Sequence, residues 1–228
     1  MNPKQRAAEA ALAYLESGQL VGLGTGSTSD FFIVALARAL KEGRLKNIRC
    51  VPTSRQSEIR ATELGIHVIQ LPPDTLLDVT VDGADEISPE LNLIKGLGGA
   101  LLREKIVAQQ SKRLVIIADV SKRVTVLGSK SPLPVEVVPF AHDVHLTFFK
   151  SLGARPTLRT GADGTPFVTD NGNYIYDCRF ATGIAAPTTT EAALNARAGI
   201  VHSGLFLGMA TVALVATDDD VTTLERHA

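Results

Sequence analysis

"LVGLGTGSTSDFFIVALARALKEGRL" (residues 20–45) runs from an apolar entry, through a loop with glycine at 22, 24 and 26 and hydroxyls at 25, 27, 28 and 29, into a segment of helical period. "LVGLG" reads as a short strand and "SDFFIVALARALKEGRL" as a helix, because its apolar residues recur every three to four positions. The same order recurs downstream. "IRCVPTS" (48–54) predicts a strand with a loop at its C-terminal end, "SRQSEIRATELG" (54–65) a helix stopped by Gly65, and "HVIQL" (67–71) a further strand. "LLDVTVDGADEI" (76–87) is an apolar strand running into an acidic turn, "GGALLREKIVAQQ" (98–110) a helix, and "RLVIIADVSK" (113–122) a strand with a polar exit. Strands alternating with helices need crossovers, and so predict an α/β fold with a mostly parallel sheet and helices on both faces. In such sheets the ligand crevice lies at the carboxyl ends of the strands, where the polar clusters of this chain fall.

The texture changes at "SPLPVEVVPF" (131–140), where prolines end the alternation. A helix over 141–152, a strand at "ARPTLRT" and a hairpin over 166–180 turning at Asn171-Gly172 are expected next. A helix at "TEAALNAR" and another strand follow. Residues 131–206 therefore read as a small inserted α+β unit. The larger domain then spans 1–130 and is completed by 207–228, with "GLFLGMATVALVA" (204–216) returning as a buried strand. That stretch is too short to cross a bilayer of about 30 Å as a helix.

The chain has 228 residues, 45% of them hydrophobic, and a net charge of −1 from 23 basic and 24 acidic residues, which suits an ordinary globular protein. The basic residues form no stripe, which argues against nucleic acid or an anionic membrane as partner. Cys50 and Cys178 form no C-x-x-C pair and lie in apolar or mixed strand contexts, so buried reduced thiols in the cytoplasm are expected. The first residues carry interleaved charges at helical spacing and no apolar leader core, which predicts a structural helix.

The glycine loop does not fit the nucleotide motifs. G-x-x-x-x-G-K is absent, the third glycine of G-x-G-x-x-G falls on Ser27, and the following strand ends in Pro52, Thr53 and Ser54 where a dinucleotide site wants an acid. What remains is a tight turn whose amides, with Thr25, Gly26, Ser27 and Thr28, surround a helix N-terminus and suit a phosphate group. A plain helix cap with a glycine turn is the competing reading.

Asp82, Asp85 and Glu86 lie within five residues around Gly83 and Ala84, and their like charges repel, a cost that suggests a use. A common Asp-Gly turn and a divalent cation site compete with that reading. Against the metal, the histidines at 67, 142, 145, 202 and 227 are scattered, with His142 and His145 expected at the surface. Lys95 emerges from "LNLI" into a turn with Gly96, Leu97, Gly98 and Gly99, placed to neutralise the acids and stabilise an oxyanion. Glu104, within Arg103-Glu104-Lys105, looks like a solvated helix face, except that its helix begins at the crevice. Lys122 is a further cation at a strand end.

"GLGTGST", "VDGADEI", "LIKGLGGALLREKIV", "ADVSKRV" and "LPVEVVPF", with "TDNGNYIYD" and "GIVHSGLF", occur in the order and spacing of the type A ribose-5-phosphate isomerase family, which the whole chain resembles. The resemblance implies a Rossmann-like catalytic domain with a smaller, ferredoxin-like α+β domain, no metal or cofactor, and dimers or tetramers. It implies a pentose phosphate as the small-molecule partner. Glu104 then looks like the general base, and Asp82, Asp85 and Lys95 like the groups around the reacting carbons. Thr25 to Thr28, Gly83, Ala84, Gly96, Leu97, Gly98 and Lys122 match substrate contacts, and Lys4 matches a lysine near the phosphate. Leu97 stands where the family commonly has glycine, so a glycine-only backbone is not expected there. Two other classes stay open on the residues alone: a sugar-phosphate sensor domain, disfavoured because the first strand begins near residue 20, and an acyl-CoA transferase or sugar-phosphate deaminase of related fold.

Overall fold

The computed structural model describes residues 1–226. In chain order its elements begin with α1 (Pro3–Ala11), β1 (Leu20–Leu23), α2 (Ser27–Lys41), β2 (Arg49–Pro52) and α3 (Arg55–Glu63). Then come β3 (Val79–Gly83), β4 (Glu86–Ile87), β5 (Leu93–Ile94), α4 (Leu101–Gln109), β6 (Leu114–Asp119) and β7 (Leu133–Val137). They continue with α5 (Leu146–Ser151), β8 (Ala154–Leu158), β9 (Tyr174–Phe180), α6 (Pro187–Asn195) and β10 (Ile200–Ser203). The last are β11 (Leu205–Phe206), β12 (Val212–Ala216) and β13 (Val221–Glu225). The chain forms two compact units: residues 1–84, 103–122 and 208 onward make the first, residues 85–102 and 123–207 the second.

The first unit is built on a sheet of order β13-β12-β6-β3-β1-β2, parallel throughout except for the antiparallel edge strand β13. Its inner strands are buried on both sides, as parallel strands covered by helices must be. Side chains alternate between the faces. Val21, Leu23, Val81 and Ile117 meet Ala7 and Ala11 of α1 and Phe32, Ile33 and Leu36 of α2. Leu20, Val51 and Leu77 meet Val107 of α4 on the other face. Register sets Leu23 opposite both Pro52 and Val81, so β1 and β2 end together and β3 runs two residues further, to Gly83. Their loops therefore emerge side by side.

The second unit contains a four-stranded antiparallel sheet of order β10-β7-β9-β8. With α5 between β7 and β8 and α6 between β9 and β10, this is the β-α-β-β-α-β arrangement of ferredoxin-like folds. Its core gathers Leu133, Val135, Phe149, Tyr176 and Leu194. A separate three-stranded sheet of order β11-β5-β4 belongs to the same unit.

Several elements differ from expectation. Residues 85–102 and 123–130 group with the second unit, not with a 1–130 domain. The cause is local: β5 pairs with β4 and β11, and Glu86 accepts the amides of Gly128, Lys130 and Ser131. Residues 67–71 make only one bridge, Cys50 to Val68, because Pro72 and Pro73 remove the donors that a longer strand needs. "GLFLGMATVALVA" divides into β11 and β12 at Gly208, whose φ is +69°. Around Asn171-Gly172 the turn forms, with Thr169 donating its N–H to Asn173 O at 2.9 Å, but its first arm is not a strand. The Thr169 hydroxyl accepts the amides of Asn171 and Asn173, and this local bonding competes with a ladder. β9 pairs with β7 and β8 instead.

The helix expected over 141–152 starts as a 3-10 turn, His142–His145, ahead of α5. His145 is buried, not superficial, and its Nδ1 accepts from Arg197 Nε at 3.0 Å. His142 hydrogen-bonds the Tyr176 hydroxyl at 2.8 Å. His227 lies outside the described residues. Cys50 and Cys178 are buried free thiols.

Candidate active site

In the first unit, Asp82 organises the strand ends. Its Oδ1 accepts the backbone N–H of Thr25 at 3.1 Å and of Gly83 at 2.7 Å, and the Ser29 hydroxyl at 3.3 Å. The glycines of β1 and its loop make room for this. A Cβ on Gly24 would fall 2.1 Å from Asp82 Oδ1, and one on Gly22 would fall 1.9 Å from Thr80 Oγ1. Glycine at these positions is thus a packing requirement imposed by β3.

Thr25 faces inward. Its hydroxyl lies 2.8 Å from those of Thr53 and Ser54 and 3.2 Å from that of Ser57, and Ser57 donates to Gly24 O at 2.7 Å. Thr25 ties the loop to its scaffold through both its N–H and its hydroxyl. Ser27 is the exposed hydroxyl, and Lys4 Nζ donates to it at 2.9 Å. Gly26, at φ +101°, caps α2 without a side-chain bond, leaving the helix N-terminus open to an anion. A cavity of about 400 Å³ adjoins it, lined by Gly26, Ser27, Asp30, Gln56, Ser57 and Arg60.

Lys122 follows β6 in a short 3-10 turn. Asp119 ends that strand, and although burial pushes its carboxyl upward, hydrogen bonds from Ser121 and the charges of Lys122 and Lys4 hold it below its ordinary value. Two lysines and the Ser27 hydroxyl therefore gather at the carboxyl edge of one sheet. Glu104 sits in the first turn of α4 and is 4% exposed, which overturns its reading as a solvated face. Lys105 beside it is buried as well.

The second unit holds Asp85, Lys95 and the glycine loop. Asp85 donates its N–H to Ile94 O at 2.8 Å, and its Oδ2 accepts the Leu97 N–H at 2.9 Å. Lys95 is 2% exposed, with Nζ 5.5 Å from the Phe206 ring centroid. Its own N–H donates to Gly204 O at 2.9 Å, an approach that only glycine at 204 permits, since a Cβ there would meet Lys95 O at 2.1 Å. Gly96 and Gly99 take positive φ, while Leu97 does not and stands exposed.

The three acids do not act as one cluster. Asp82 binds the first glycine loop, Asp85 the second, and Glu86 is buried against the 128–131 turn. Among the described residues no group of three His, Cys, Asp or Glu side chains is placed to hold a metal ion. No helix among them is long and apolar enough to cross a membrane.

Sequence reasoning passed over Ser29, Thr53, Ser54, Ser57 and Lys105 as members of these networks. The run "PTSRQS" carried a trace of the hydroxyl cluster, but only the pairing of β1 with β2 brings it under Thr25.

An open parallel sheet with an acid, two lysines and a helix N-terminus without a side-chain cap at its carboxyl edge has the layout of an α/β protein whose ligand crevice lies at the strand ends. A family model described as ribose 5-phosphate isomerase A (phosphoriboisomerase A) matches residues 49–220, and the chain belongs to that family. A ribose-5-phosphate isomerase A of Roseiflexus castenholzii is 52% identical over 97% of this chain and 94% of its own. The solved ribose 5-phosphate isomerase from Plasmodium falciparum matches with TM-score 0.96 and 38% identity, covering 99% of this chain and 98% of that one. A D-ribose-5-phosphate isomerase solved in complex with phospho-erythronic acid matches with TM-score 0.95 and 39% identity over 99% and 100% of the two chains. Agreement across nearly the whole chain decides between this family and the sensor, transferase and deaminase alternatives.

Proposed function

We propose that this enzyme interconverts ribose 5-phosphate and ribulose 5-phosphate by moving one proton between C1 and C2 through an enediolate, with Glu104 as the base. Aldose and ketose differ only in where that proton and the carbonyl lie, so a single carboxylate that removes the proton from one carbon and returns it to the other suffices. The observation that carries the reading is the burial of Glu104 at the first turn of α4: holding a carboxylate almost out of water costs free energy, and its place in a family of isomerases gives that cost a use. Phospho-erythronic acid, bound by the relative, supports the substrate class. It bears a phosphate at one end and a planar anionic carboxylate at the other, the charge distribution of the enediolate.

The remaining roles follow from chemistry. The sugar is mostly cyclic, so ring opening comes first, and Asp82, fixed by three donors, is the group assigned to that proton. Lys95 offsets the enediolate charge, with Asp85 orienting the loop that follows it. Ser27, Thr28, Lys4, Lys122 and the N-terminus of α2 take the phosphate, while Gly26, Gly83, Ala84 and Gly96 to Gly98 line the sugar. The reading needs neither metal nor cofactor, and it includes a cytoplasmic homodimer or tetramer.

The experiment is isomerisation of ribose 5-phosphate by the purified chain, with Glu104→Gln beside it. Turnover of the variant should fall by about 10² or more with KM nearly unchanged, as for loss of a general base. Ribulose 5-phosphate deuterated at C1 should release isotope to solvent during conversion. Wild-type turnover in the variant removes Glu104 from the role, and full retention of deuterium replaces proton transfer with a hydride shift.

A further inference from the structure

Within the second unit, the long connection between β8 and β9 reaches the glycine loop at 96–99. Arg159 forms a two-point ion pair with Asp177, Nε to Oδ2 at 2.9 Å and Nη2 to Oδ1 at 2.5 Å, with its side chain 13% exposed. Its remaining terminal nitrogen, Nη1, donates to Gly96 O at 3.1 Å and to Leu97 O at 3.0 Å. The guanidinium also lies 5.8 Å from the Phe167 ring centroid, and that ring fills the space beside Gly99, where a Cβ would come within 2.5 Å of it.

Two consequences follow for the backbone. The peptide joining Gly96 to Leu97 is held at both ends, its carbonyl by Arg159 and its N–H by Asp85. No peptide among the described residues is cis, so the N–H of Gly98 points opposite to the Leu97 carbonyl that Arg159 holds. Gly98 is exposed, and its N–H is thereby turned away from the Arg159 side of the loop.

We propose that Arg159, braced by Asp177 and Phe167, is a positioning residue that fixes the Gly96–Gly98 backbone so that the Gly98 N–H faces the oxygen that becomes negative in the enediolate. This rests on the isomerase reading and adds to it a residue outside both glycine loops. A planar guanidinium serves two carbonyls and one carboxylate together, whereas the point charge of lysine does not. A donor aimed at developing charge acts on the transition state and little on ground-state binding.

Arg159→Ala and Arg159→Lys should each lower kcat by about tenfold or more while KM moves less than about threefold, because a misaimed donor loses transition-state stabilisation. Assays run well below each variant's melting temperature keep lost stability from entering kcat. Where Arg159→Ala does not fold, Arg159→Lys and Asp177→Asn carry the same criterion. A kcat within twofold of the parent, or a loss confined to KM, overturns the proposal whatever the melting temperatures show. The parent's activity and the loss of turnover in Glu104→Gln are checked in the same series. Failure there strikes the isomerase reading, whereas their success beside a fully active Arg159 variant strikes the positioning role alone.

Discussion

A carboxylate and a missing methyl group face each other at the end of the first strand. Asp82 reaches the Thr25 amide across the space that a Cβ on Gly24 would fill, at 2.1 Å from Oδ1. Gly22 stands in the same relation to Thr80, at 1.9 Å. Alanine at either position must push its neighbour aside, at about 1–3 kcal/mol for overpacking a close-fitted strand. The two variants should separate stability from chemistry. Gly22→Ala displaces a threonine and should lower the melting temperature, leaving turnover per folded molecule close to the parent. Gly24→Ala meets the Asp82 backbone as well as its carboxylate, with Cα at 2.5 Å, so it should lose more stability than Gly22→Ala and lose kcat as well. Equal kcat in both variants would break the link between the glycine and the acid. The glycines were legible in the sequence as a turn, and the reason for them was not, since it lies on a strand nearly sixty residues away. Glu104 was hidden for a related cause: flanked by Arg103 and Lys105, it has the look of a surface triplet, and only the fold buries it.

At the scale of elements, alternating strands and helices were plain wherever an apolar run met a helical period, as in β1 with α2 and β6 after α4. What escaped was decided by partners. β13, "VTTLE", is an edge strand with a single antiparallel neighbour and so needs no apolar run. Residues 67–71 have the composition of a strand but run into Pro72-Pro73. One tie between elements carries a pH prediction. Asp78, just ahead of β3, is held below its ordinary value by the Lys112 hydrogen bond, then by the Leu20 N–H, with burial opposing and the Lys112 charge assisting. A carboxyl depressed in the folded state binds its proton more readily when unfolded. Its stabilisation is therefore complete above the unfolded value of about 3.9 and is lost as pH falls through the lower folded value. Asp78→Asn should lower the melting temperature at pH 7, and the gap to the parent should close as pH drops through that window. A gap that stays constant down to the acid limit would show that the carboxylate charge contributes nothing there.

For the molecule as a whole, net charge and local charge oppose one another. The chain carries −1, and a sugar phosphate carries roughly −2 near neutral pH, so the overall field does not draw substrate in. Lys4 and Lys122, which both act on Asp119 at the carboxyl edge of the sheet, supply the attraction, and Lys4 also donates to Ser27. Which of the two prevails depends on reach. The Debye length shrinks from about 30 Å at 0.01 M salt to about 10 Å at 0.1 M, so salt first screens charges spread over the whole surface and only later those beside the phosphate. If the lysines hold the phosphate, kcat/KM should change little on going from 0.01 to 0.1 M and fall at higher salt, with the loss in KM. Lys122→Ala should raise KM by about tenfold at low salt, the order expected from losing one charge-assisted contact to a phosphate, and should flatten the salt curve. A kcat/KM that rises steadily with salt would mean that the acidic surplus of the whole chain, not these two lysines, governs the approach of the substrate.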